Sequence, residues 1–261
     1  MPHFKSILLT GLLAVFLSTV SISEGQGQGA FVPLGNRTIE SFVEAKKHLK
    51  KIYAKNQVTF YCKARFDDKG KVEMPEGFKT PKYANRSKRI EWEHIVPAEN
   101  FGRIFVEWCE GHPSCVDKKG KPYKGRKCAE KVNREFRLLQ ADMYNLVPAI
   151  GAVNALRSNY NFTEFEKGSV ENTFGSCPVK ISNRKVEPPH YSKGMIARTY
   201  FYLETVCPSF KISKQQRRIL TMWNELYPVD EWECMRMKEI SKIQKSENKI
   251  VESQCKIKGL I

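Results

Sequence analysis

The sequence predicts an α+β fold that is predominantly helical and forms a single disulfide-stapled domain. Three observations predict it. Helical periodicity recurs along much of the chain, whereas β-branched runs are short and few. The 261 residues contain no internal repeat and no long linker. Eight cysteines follow an apparent export signal. The balance of 41% hydrophobic and 28% charged residues suits a chain that buries a core, and excludes a disordered, collagen-like or multi-span membrane protein.

Residues 1–23 read as a secretory signal peptide, and 24–261 as the domain it exports. Lys5 supplies the positive start, Ile7 to Val20 the apolar run, and Ser21 and Ser23 the small residues before a cut at Glu24. The run is shorter than the ~20 residues that span a bilayer. Cys62, Cys109, Cys115, Cys128, Cys177, Cys207, Cys234 and Cys255 all lie beyond the cut and are candidates for up to four disulfides. Spacing alone does not choose among the pairings. No two cysteines stand as close as a structural zinc site needs.

Gly25–Gly29 is a flexible leader. Ile39, Phe42, Val43, Leu49, Ile52 and Tyr53 share one helical face, with lysines between them. Gln57–Cys62 is β-branched and aromatic and reads as a strand, and Asp67–Gly70 as a turn. Ser87–Trp92 reads as a strand leading into Glu93-His94, after which Pro97 opens a short helix. Cys109–Cys128, rich in Gly, Lys and Pro, reads as a loop braced by disulfides. Val132–Tyr144 has helical spacing at Phe136, Leu139 and Met143. Pro148 starts a further helix carrying Ala149, Ile150, Val153 and Leu156. The stretch between Asn161 and Lys193 is irregular. Ile196–Leu203, Ser213–Leu226 and Asp230–Gln244 read as C-terminal helices, the last opened by a capping box from Asp230 to Glu233.

The chemistry concentrates in two places. Glu91-Trp92-Glu93-His94 combines carboxylates with an imidazole near a strand end, and on a strand Glu91 and Glu93 share a face. An unperturbed imidazole titrates near ~6.5 and takes a proton at neutral pH. The second place is Asp142–Asn159, where Asn145 and Asn154 flank Pro148. Asparagine is a poor mid-helix residue, but its amide oxygen is a hard neutral ligand for Mg²⁺ or Ca²⁺. A net charge of +16 favours a polyanionic partner.

Together these segments resemble the endonuclease I family of bacterial periplasmic and extracellular nucleases. The resemblance runs through EWEHIVPAENFGR (Glu91–Arg103), the cysteine-bearing loop, DMYNLVPAIGAVNALRSN (Asp142–Asn159) and EWECMRMKEISKIQ (Glu231–Gln244). It implies a ββα-metal site in a nuclease domain over 24–261. In that site His94 is the general base. Glu93 and Asn154 hold one Mg²⁺, for which Ca²⁺ or Mn²⁺ are candidate substitutes. Asn145 ties the His-bearing loop to the metal helix. Arg157, three residues past Asn154, holds a phosphate from the same helix face. Glu91 and Gln140 take supporting places, and Gln140 stands where relatives often carry glutamate.

The function implied is Mg²⁺-dependent hydrolysis of DNA and RNA to 5′-phosphate ends. Recognition is expected to be sequence-independent, through phosphate contacts, because no base-reading motif is present. The protein is expected in the periplasm or the medium, as a monomer, with no membrane contact once the signal is removed. The alternative is a secreted cationic nucleic-acid-binding protein without catalysis, which shares the charge and cysteines but needs none of Glu93, His94 and Asn154. A zinc metalloprotease is disfavoured because no HExxH run exists. A cysteine hydrolase is disfavoured because an even cysteine count offers every thiol a partner.

Overall fold

A computed structural model of the protein describes residues 1–3 and 35–261. The chain divides into one unit over Met1–Val32 and another over Pro33–Ile261. The signal-peptide expectation, its cut and the glycine-rich leader lie outside the described residues.

The second unit opens with helix α1 (Phe42–Tyr53), whose N-cap Ser41 accepts the Glu44 amide. Ala45, Leu49, Ile52 and Tyr53 form its buried face. Gln57–Cys62 is not the strand its composition predicts. Val58 makes an isolated bridge to Arg65, and the chain then turns tightly, with Thr59 Oγ1 accepting the Ala64 amide and Lys63 at φ 52°. Tertiary bonds override β propensity here: the Phe60 amide is taken by Pro148 and Cys62 is bonded to Cys177. The turn at 67–70 forms as expected, with Asp67 Oδ1 accepting the amides of Lys69 and Lys71.

A short helix α2 (Ala84–Ser87) occupies the start of the expected strand, so strand β1 begins later, at Ile90, and ends on His94. Pro97 caps helix α3 (Ala98–Gly102), and α4 (Val106–Cys109) follows. The loop beyond is braced by one bond, Cys115–Cys128. The helix expected over Val132–Tyr144 is shorter: α5 (Arg126–Val132) ends where the expected helix begins, α6 (Arg134–Gln140) covers its centre, and a separate 3-10 turn (Met143–Asn145) takes its end. Asn133 breaks α5 from α6 with an extended backbone, and its side chain caps α6 by accepting the Phe136 amide.

Strand β2 (Leu146–Ile150) is the largest departure from expectation. Pro148 does not start a helix. It lies in the strand, opposite Trp92, in an antiparallel pairing that sets Glu93 against Val147 and His94 against Leu146. A two-stranded sheet leaves one edge of β2 unpaired, which tolerates a residue without an N–H. Helix α7 (Gly151–Arg157) follows directly, completing a strand–strand–helix unit.

Part of the segment expected to be irregular forms a small sheet. Strand β3 (Asn161–Phe162) pairs in parallel, and β4 (Lys180–Ser182) antiparallel, with β5 (Lys185–Glu187). Helix α8 (His190–Val206) is longer than its predicted core, and α9 (Lys214–Leu226) starts after the N-cap Ser213. Helix α10 (Glu231–Gln244) opens on Asp230, which accepts the Glu233 amide. Helix α11 (Lys249–Ile257), capped by Asn248 and absent from the sequence reading, is tied to α10 by Cys234–Cys255.

The disulfides among the described residues are Cys62–Cys177, Cys115–Cys128 and Cys234–Cys255. Cys109 and Cys207 are free, which corrects the expectation that every cysteine has a partner. Cys207 is buried at the end of α8, whereas Cys109 is exposed, its thiol on the Arg103 carbonyl. A disulfide needs Cα atoms within about 7 Å, with the two Cβ vectors converging.

Buried polar groups hold the segment leading into β2. The Asp142 carboxylate accepts from Tyr202 Oη at 2.8 Å and Gln244 Nε2 at 2.9 Å. Arg236 of α10 donates to the carbonyls of Met143 at 2.6 Å and Leu146 at 2.8 Å. The C-terminal helices thereby fix where β2 begins.

Candidate active site

The end of β1 and the exposed side of α7 form one wall of a cleft of about 640 Å³. Glu91, Glu93, His94 and Asn154 line it, together with Phe42, Lys46 and Arg126 from outside the strand–strand–helix unit. The structure therefore brings together the three residues on which the expected chemistry rests, the adjacent Glu93 and His94 and the distant Asn154, 60 residues beyond His94.

Glu93 is 3% exposed. Its Oε1 accepts from Tyr61 Oη at 3.3 Å and pairs with Arg157 Nη1 at 3.0 Å. Both contacts fall on one oxygen, and among the described residues Oε2 has no hydrogen-bond partner. Burial lifts the carboxyl to about 7 against the opposing pull of Arg157 and Tyr61. It is a carboxylate that a nearby cation would stabilise.

His94 Nε2 stands 2.9 Å from the backbone carbonyl of Gln140. A carbonyl only accepts, so Nε2 carries the proton and Nδ1 has the free lone pair. The rings of Phe42 and Phe101 pack on the imidazole at 5.0 and 6.2 Å. Burial first, and the Arg126 charge second, push its pKa down to about 3, so the imidazole is neutral at physiological pH.

Asn154 Nδ2 donates to Glu91 Oε2 at 2.9 Å, which commits the amide nitrogen and leaves its oxygen as the uncommitted end. Glu91 is itself held by Arg86 at 2.7 and 2.5 Å. This approach depends on Gly151: a Cβ there would stand 2.4 Å from the Arg86 carbonyl and 2.8 Å from Glu91 Oε1. Asn145 locks the loop after β1 from both ends of its amide, accepting the Val96 amide at 2.8 Å and donating to the Val96 carbonyl at 3.0 Å.

Arg157 does not present itself to a phosphate. It is 1% exposed, and besides Glu93 it donates to the carbonyls of His94 at 2.9 Å and Ile95 at 2.5 Å. Spacing placed it correctly on α7 but could not reveal the buried acid that draws it inward. Gln140 likewise does not face the cleft: its side chain bonds to Arg126 and Glu130.

The cation that sequence reasoning missed is Arg126. It is half-buried on the cleft wall, over the Phe42 ring at 5.4 Å. Among the described residues no carboxylate stands within ion-pair distance of it, in contrast to Arg86 and Arg157, which are both paired. Lys46 is similarly unpaired and lies over the same ring at 4.7 Å. No local signal distinguishes these two from the many other basic residues of the chain.

Among the described residues no three His, Cys, Asp or Glu side chains cluster to hold a metal. The available donors are one carboxylate oxygen and one amide oxygen. Such a sparse, hard-oxygen set suits an ion that keeps most of its waters, as Mg²⁺ does.

The profile of the endonuclease I family matches residues 29–255. The chain is 40% identical over 223 residues to Endonuclease-1 of Buchnera aphidicola subsp. Baizongia pistaciae (strain Bp), covering 83% of this chain and 84% of the relative. It is 37% identical over 224 residues to an extracellular deoxyribonuclease of Aeromonas hydrophila, covering 83% and 90%. A periplasmic deoxyribonuclease of the same species is 36% identical over 230 residues, covering 85% and 90%. No helix among the described residues is long and apolar enough to cross a membrane.

Proposed function

The chain belongs to the endonuclease I family and is a hydrolytic nuclease; from that premise we propose that it cleaves both DNA and RNA to 5′-phosphate ends, with Mg²⁺ on Glu93 and Asn154 and with His94 as general base. The observation that carries this reading is the convergence of Glu93, His94 and Asn154 on one cleft. The site of action is the periplasm or the medium, the places named for its relatives.

A phosphodiester is already anionic, so attack by water builds further charge that must be offset. When bound, the divalent ion supplies that offset as a Lewis acid. The chain's own residues do the rest. The Nε2–H bond to Gln140 aims the imidazole, and Nδ1 takes the proton of the attacking water; as the new P–O bond forms the P–O3′ bond breaks, the phosphate stays on the 5′ end, and the leaving 3′ oxygen takes a proton from solvent. A phosphate entering the cleft brings negative charge that counters Arg126, which raises the proton affinity of Nδ1 when it is needed. Arg126 and Lys46 hold phosphate oxygens and read no bases. Arg157 is a positioning residue: it fixes the Glu93 carboxylate and the backbone at His94 and Ile95 in one geometry.

The test is cleavage of supercoiled plasmid and of single-stranded RNA with Mg²⁺ and with EDTA. Both substrates are expected to be cut only with the metal, and His94→Ala is expected to abolish cutting. Near-wild-type turnover by His94→Ala, or cutting in EDTA, overturns the reading.

A further inference from the structure

Gln140 ends α6 fully buried and makes three bonds at once. Its backbone carbonyl accepts His94 Nε2 at 2.9 Å. Its side-chain Oε1 accepts Arg126 Nε at 2.6 Å, and its Nε2 donates to Glu130 Oε1 at 3.0 Å. The two ends of the amide meet opposite chemistry. A guanidinium only donates and a carboxylate only accepts, so the bridge requires one acceptor and one donor in a single side chain. A glutamate in this place would set its charge against Arg126 and turn an acceptor toward the Glu130 carboxylate. Glutamine instead orders the guanidinium without neutralising it.

We propose that Gln140 is the positioning residue that aims Arg126 into the cleft with its charge intact and ties that cation to the His94 imidazole, so that phosphate holder and base keep one spacing. The assignment deepens the nuclease reading and rests on it. The linkage uses two separable parts of one residue. The carbonyl, which any substitution retains, serves the base. The amide, which a substitution removes, serves substrate binding.

The experiment measures binding of metal-free protein to a duplex oligonucleotide in EDTA across a salt series, then steady-state cleavage with Mg²⁺. Arg126→Ala is the reference and is expected to lower the slope of log affinity against log salt by about one, the loss of one phosphate contact. Gln140→Glu is expected to lower the slope as Arg126→Ala does, because the new carboxylate neutralises the guanidinium. Gln140→Met keeps the slope but is expected to raise KM by roughly 3–10-fold, more than it lowers kcat, the scale of the lost bond to Arg126. A purely structural role would lower the melting temperature and leave the slope and the KM-to-kcat split as in the wild type. If Arg126→Ala itself leaves the slope unchanged, the reading of Arg126 as a phosphate contact fails, and this inference with it. If Arg126→Ala lowers the slope but both Gln140 variants bind and turn over as the wild type does, only the inference fails. Should Gln140→Glu not fold, Gln140→Met decides alone, and an unchanged KM overturns the proposal.

Discussion

The strand–strand–helix unit and the segments around it are held by different kinds of bond. β1, β2 and α7 contain no cysteine, and their anchors are buried hydrogen bonds and an ion pair: Asn145 on Val96, Arg236 on the β2 entry, and Arg157 on Glu93 and two carbonyls. The surrounding segments carry the bridges Cys62–Cys177, Cys115–Cys128 and Cys234–Cys255. A disulfide acts chiefly by restricting the unfolded chain, whereas a directional buried hydrogen bond fixes atoms in the native state. The cleft needs the second kind of restraint. Damage to the two regions should therefore read out in different measurements.

His94→Ala makes the widest separation between them. Loss of the proposed base is expected to lower kcat by ~10²–10⁴-fold, with a change in melting temperature too small to account for it. Removing the longest bridge, Cys62→Ser with Cys177→Ser, is expected to do the reverse. A closed loop of 115 residues corresponds to about 4–5 kcal/mol of stability on the chain-entropy account. Urea titration should show this loss, while kcat at a temperature where the variant stays folded should match the wild type. A matching fall in kcat would break the comparison.

Arg157→Met tests the overlap of the two regions. It leaves the Glu93 carboxylate buried beside two unsatisfied carbonyls, and is expected to cost about 3–5 kcal/mol together with most activity. Asn145→Ala is expected to cost about 1–3 kcal/mol and to lower kcat by loosening the loop after His94. Stability lost without any effect on kcat would place Asn145 with the scaffold rather than the site.

A pH dependence separates the two titratable groups of the site without a change of fold. In the metal-free protein the Glu93 carboxyl is raised from 4.5 to about 7. The folded state then binds the extra proton, so stability falls as pH rises from about 4.5 through about 7. Thermal melts in EDTA should show the wild type losing ground to Glu93→Gln across that window. Mg²⁺ should reverse the loss, since a bound cation favours the carboxylate. His94 acts in the opposite sense, because a pKa lowered from 6.5 to about 3 removes stability as pH falls through that range. The difference between wild type and Glu93→Gln separates the two contributions.

Local chemistry made much of this site legible. The cap at Asp230, the amphipathic face of α1, and the coincidence of Glu93, His94 and Asn154 follow from residue type, spacing and family resemblance. Pro148 shows where local reading ends. Proline suits a helix start, and only the pairing with Trp92, remote in the chain, makes it a strand residue. Arg157 fails for a related reason: its partner Glu93 lies on another element, and an exposed cation and a buried one look alike in sequence. The free thiols of Cys109 and Cys207 were hidden because parity counts cysteines without locating them.

The Cys62–Cys177 bond has one more consequence. Glu91, Glu93, His94, Arg126, Gln140, Asn145, Asn154 and Arg157 all fall between those two positions. Apart from Lys46, the residues proposed to carry the chemistry thus sit inside a single covalent ring. A protease that clips one exposed turn within the ring opens it without releasing a fragment, and the severed ends stay at high effective concentration. In surroundings that contain hydrolases of other kinds, a nicked molecule keeps its whole catalytic set on one body.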